Sequence, residues 1–195
     1  MYRALYLAGV GYLAICGVLV LQYRQPKYGF IPADPAATRF GFSAAGYGWW
    51  VRMKVHCNAV EVELTHRMSP PPHTLDGQGY SATCYALAGK IDSARAIIDR
   101  LPESDRHKAA GIVFDVAHPI ADAGDDRAAG PIMELVIGYW PNHYMALYHA
   151  GMAEYALGEP ELARKNLTDF LSYYHQDDGW TRNAQLTLAR LGAEK

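Results

Sequence analysis

The stretch ALYHAGMAEYALG, residues 146–158, decides how this chain is read: a helix-forming run with small residues along one side, stopped by a glycine. Two earlier stretches close in the same way, GYSATCYALAG at 79–89 and IVFDVAHPIADAG at 112–124. Their last residues, Gly89, Gly124 and Gly158, lie 35 and 34 residues apart, and Gly192 follows 34 residues later. A small residue recurs five positions after each of the first three glycines, as Ala94, Ala129 and Ala163. Glycine directly after an apolar helical run supplies the left-handed conformation that ends a helix. A period of this length marks stacked helical units, none of which buries its apolar face alone.

This frame resembles the tetratricopeptide repeat family, antiparallel helix pairs of about 34 residues. The family's small residue in the first helix is matched by Ala82, Ala117 and Gly151. Its turn glycine is matched by Gly89, Gly124 and Gly158, and its second-helix alanine by Ala94, Ala129 and Ala163. The large apolar residue four positions later is Ile98, Met133 or Leu167, and Pro141 matches the proline that closes a repeat. The first-helix aromatic is kept as Tyr85, becomes Ile120 in the second unit, and in the third is Glu154 with Tyr155 beside it. His118-Pro119 sets a proline inside the second unit's first helix, where a missing donor should kink or shorten it. Trp180 to Leu191 reads as a solitary capping helix.

The resemblance implies an all-α fold, a right-handed superhelix of helical hairpins over residues 73–195. It also implies a concave groove lined by the first helices. Carrying that face over selects Phe114, His118, Tyr148, His149, Met152, Tyr155 and Arg182 as a protein-binding groove. The Lys and Asn set with which chaperone-binding members clamp a terminal carboxylate is missing. In the same frame Cys57 and Cys84 fall on successive packed helices, as either a disulfide closing a loop of about 27 residues or two buried free thiols.

Upstream the chain changes character. Ala4 to Leu21 is 18 residues without a formal charge, flanked by Tyr2 and Arg3 and by Tyr23, Arg24 and Lys27. That length and those interfacial anchors predict one N-terminal transmembrane helix within residues 1–23. A cleaved secretory signal has a shorter apolar core, about 7–15 residues, and a small-residue cleavage site at its end. Ala4, Ala8 and Gly11 put small side chains on one face of the anchor, either for a neighbouring helix or against lipid. Residues 24–40, with Pro26, Gly29, Pro32 and Pro35, read as a stiff linker. Residues 41–72 read as a degenerate repeat or as one helix over Ser43–Met68, with Trp49 and Trp50 in a core or at a membrane interface. The short leader and the cysteine pair favour an extracytoplasmic, periplasmic domain.

Composition narrows the function classes. Half of the 195 residues are hydrophobic and 19% are charged, so the chain has the material for a core. Eighteen Lys and Arg against twenty Asp and Glu give a net charge of −2, which provides no field for binding nucleic acid. The eight histidines form no metal signature: His56 and His66 flank Glu61 and Glu63 without H-E-x-x-H spacing, and no C-x-x-C-H is present. Nucleophile-elbow, phosphate-loop and dinucleotide fingerprints are absent, and Gly77-Gln78-Gly79 is too short to be one. Asp125-Asp126 and Asp177-Asp178 sit at turns, where aspartate caps the next helix. Asn166-Leu167-Thr168 matches a glycosylation acceptor but lies within a helix.

The sequence therefore predicts no catalytic residue, cofactor or metal. It points to a single-pass, membrane-anchored interaction subunit, a scaffold or accessory part of a larger membrane complex such as a respiratory or photosynthetic one. Its partners would be other protein subunits, and the bilayer through the N-terminal helix. A transient assembly factor or periplasmic chaperone is the alternative, and an enzyme without a recognisable motif ranks third.

Overall fold

A computed structural model describes residues 43–193. The expected anchor and linker lie outside the described residues, among which no helix is long and apolar enough to cross a membrane. The described chain is all-helical, with no strand: α1 (Ala44–Met53), a 3-10 turn (Lys54–His56), α2 (Val62–Met68), α3 (Leu75–Leu87), α4 (Ile91–Asp99), α5 (Glu103–Asp122), α6 (Asp126–Tyr139), α7 (Tyr144–Leu157), α8 (Pro160–Tyr173) and α9 (Gly179–Ala193).

From α3 onward the helices form hairpins. Helix α3 packs on α1, α4 and α5; α6 packs on α5 and α7; α8 closes on α7; and α9 covers both α7 and α8. Gly89, Gly124 and Gly158 have φ of 72°, 78° and 81°, and no other described residue has positive φ. Each closes the same motif. The amide after the glycine donates to a carbonyl five residues back (Lys90 to Tyr85, Asp125 to Ile120, Glu159 to Glu154). The glycine amide donates three residues back (to Ala86, Ala121 and Tyr155). These are Schellman turns, which satisfy carbonyls that a helix end leaves orphaned. Gly192 keeps the spacing but falls inside α9, where it ends nothing.

The close crossings are also periodic. Ala82, Ala117, Ala94 and Ala163 are fully buried, as are Ile98, Met133 and Leu167. At Gly151 a β-carbon would stand 2.7 Å from Leu167 Cγ, so α7 and α8 approach as closely as glycine permits. Pro119 neither breaks nor shortens its helix. Helix α5 runs for 20 residues and carries Pro119 in its last turn, where a single backbone bond is forfeited.

Residues 43–68 form two short helices rather than one. The chain breaks at Cys57, and Asn58 restarts it: its Oδ1 accepts from the amides of Val60 and Glu61 while its Nδ2 donates to Glu61 Oε2 at 2.6 Å. Cys57 is joined to Cys84 of α3 by a disulfide. Trp49 and Trp50 are buried; Trp49 donates its indole N–H to Ser69 O at 2.9 Å, and Trp50 stacks on Tyr80.

Candidate functional site

Helices α5, α7 and α9 border a cleft of about 290 Å³, lined by Ala121, Asp122, Asp126, Tyr148, His149, Met152, Tyr155 and Trp180 among others. Rings hold its wall together. His143 lies 4.1 Å from Phe114, Phe114 stacks on His118 at 4.7 Å, and His118 meets His149 at 4.9 Å. Tyr148 and His149 both meet Trp180 edge-on, at 4.9 and 5.7 Å. Ring edges against ring faces suit the aromatic quadrupole, so the chain of contacts joins three elements with defined geometry.

Four of the seven groove residues selected from the sequence line this cleft: Tyr148, His149, Met152 and Tyr155. Phe114 and Tyr148 are more than nine-tenths buried and belong to the core, although Tyr148 still borders the cleft with one edge. His118 is half-buried behind it. Arg182 is exposed, pairs with Asp177 at 3.2 Å, and borders a separate shallow depression with Asn183 and Leu186. Trp180 and Asp122 complete the wall and were not selected from the sequence. The available signal for Asp122 was its place four residues after His118, which puts both on one face of a helix.

His149 is the most constrained titratable group here. Its side chain is 6% exposed, and burial pushes its pKa down to about 4, with His118 adding to the effect and Asp122 opposing it. Asp122 Oδ1 stands 3.5 Å from His118 Nε2 and 3.5 Å from His149 Nε2. Neither approach is aligned as a hydrogen bond, and both ring nitrogens are buried without a partner. His143 Nδ1, by contrast, accepts from the Ala146 amide and caps α7.

A second polar cluster lies between α6, α7 and α8. Asn166 Nδ2 donates to Glu134 Oε1 at 2.7 Å and to Glu154 Oε1 at 2.8 Å. Burial, followed by the hydrogen bond and charge of Glu134, pushes the Glu154 carboxyl up to about 8. Glu154 therefore carries a proton at neutral pH, as a buried carboxyl beside another does. The Asn166 amide, only 3% exposed, is occupied and closed to modification in the folded chain. The paired aspartates cap helices: Asp125 Oδ1 accepts from the Ala128 amide, and Asp178 Oδ1 from those of Trp180 and Thr181.

No family model matches this sequence, and no curated protein or solved structure is significantly similar to it. Functional argument therefore starts from the chain's own surfaces.

Proposed function

We propose that this chain is a non-catalytic, membrane-anchored interaction subunit with tetratricopeptide-like hairpins, held to the bilayer by residues 4–21 and docked to another protein subunit through its first two helices. One observation carries this reading. Of the eleven large hydrophobic side chains that are exposed among the described residues, six fall within residues 47–68: Tyr47, Val51, Val55, Val60, Leu64 and Met68. Tyr47 and Val51 share a face of α1, and Leu64 and Met68 a face of α2. Val60 is 88% and Met68 79% exposed, and exposed apolar side chains gathered in one short segment are characteristic of interfaces. The patch also follows directly, in sequence, the expected linker from the anchor. A partner subunit of a membrane complex, rather than lipid, is the occupant that fits: Arg67, Glu61 and Glu63 rim the second run with both signs of charge, as interface rims are.

The test is to purify the full chain in mild detergent and identify what accompanies it. Val60→Asp with Leu64→Asp should abolish copurification while moving stability by no more than about 0.5 kcal/mol, as for surface positions generally. Retention of every wild-type partner by a folded double variant would sink the reading. Recovery of the partner only in substoichiometric amounts would make the chain a transient assembly factor.

A further inference from the structure

We propose that His118, Asp122 and His149 form a site for one divalent transition-metal ion of the zinc type, fastening the end of α5 to α7. The three donor atoms lie within 4.8 Å of one another. Two of the three separations are 3.5 Å, both to Asp122 Oδ1. Zinc takes imidazole nitrogen at about 2.0–2.1 Å, so ligand atoms of a tetrahedral site stand roughly 3.3 Å apart. Two edges of such a tetrahedron are already in place. The third closes by a small in-plane shift of the His118 ring, whose side chain is 31% exposed.

The unsatisfied nitrogens are what point to a ligand. Buried polar atoms in native proteins are paired, and each exception requires an explanation. Here two Nε2 atoms on different hairpins are buried, unpartnered and turned towards the same carboxylate oxygen. As they stand neither ring nitrogen is aligned to donate to Asp122, whereas a cation between the three groups serves all three donor atoms. Two neutral imidazoles and a carboxylate are a borderline-soft set that suits zinc, cobalt or nickel; magnesium and calcium favour all-oxygen surroundings. His118 and Asp122, four apart on α5, chelate from one helix face, and His149 supplies the cross-link. Phe114 stacks on His118, and Trp180 holds His149 edge-on, so the neighbouring rings fix the ligand planes. Asp122 is 46% exposed and lines the cleft with His149, which gives an ion its path in and leaves a fourth position for water.

The experiment uses the full chain in mild detergent, without a polyhistidine tag and after treatment with a chelator. Zinc is titrated by calorimetry, and cobalt by its visible absorption. One ion per chain is expected, with a melting midpoint raised by zinc and not by magnesium. Asp122→Asn and His118→Gln should each weaken zinc at least about tenfold and remove the cobalt bands, since even outer partners of a metal site are worth that much. Asp122 is half-exposed, so Asp122→Asn keeps its fold and decides the matter even where a histidine variant does not, with circular dichroism as the check. Failure of the wild-type chain to bind zinc or cobalt overturns the proposal. So does equal binding by wild type and Asp122→Asn, which would place the ion on other histidines.

Discussion

The N-terminal segment and the third helix pair solve one problem in opposite ways. The third, α7 and α8, uses two helices of 14 residues that meet at Gly151, and their shared face is filled by Leu147, Leu167 and Phe170, all fully buried. The N-terminal segment, α1 and α2, has helices of 10 and 7 residues, carries exposed apolar side chains, and is tied to α3 by the Cys57–Cys84 disulfide as well as by the buried Trp49, Trp50, Met53 and Val62. Short helices bury too little surface to offset the entropy of ordering them. The comparison teaches that packing alone holds the third pair, whereas a covalent bond supplements packing in the N-terminal segment.

The largest effect that would break this contrast is loss of the bridge. Cys57→Ser with Cys84→Ala should cost about 3–4 kcal/mol, from the entropy of a 27-residue loop in the unfolded chain. Hydrogen exchange should accelerate in residues 44–68 and stay slow in α7 and α8; uniform acceleration would show that the two regions are not energetically distinct.

The third pair has its own weakness, which is protonic. Glu154 has a folded pKa of about 8, above the ordinary 4.5. The folded state therefore keeps a proton that the unfolded chain gives up between those values. Its stability contribution is full below about pH 4.5 and is lost as pH rises through about 8. Glu154→Gln should remove the dependence and leave the chain more stable than wild type at pH 8. Thermal melts from pH 5 to pH 9 are the check, and an unchanged wild-type midpoint across that range would refute the assignment.

Gly151→Ala sharpens the comparison most finely. The added methyl meets Leu167 at 2.7 Å, so overpacking should cost about 1–2 kcal/mol. The same change at Gly48 of α1 meets nothing nearer than the Arg52 guanidinium at 3.7 Å and should be neutral or stabilising, because alanine is the better helix former. Equal effects at the two positions would mean that close crossing is not what holds the third pair.

What the sequence revealed follows the range of the constraint. Turns and crossings were legible because each rests on one residue: a glycine at positive φ, or a small side chain where two helices touch. Pro119 was misjudged because its cost depends on where α5 ends, and the helix closes at Asp122, so the proline falls in the last turn. The break at Cys57 had a local signal, Asn58 three residues before Glu61, beneath a helical hydrophobic pattern that runs through both sides. The His118, Asp122 and His149 cluster had almost none. Its third member lies 31 residues from the first, and only the stacking of α7 against α5 brings them together.

Asn166 carries a last consequence. Its amide is clasped by Glu134 and Glu154, yet it stands in an acceptor triplet for sugar. Glycan transfer and closure of α8 on α7 exclude one another at this atom. A sugar at Asn166, in any compartment that glycosylates, would therefore report a chain whose α7–α8 hairpin was still open.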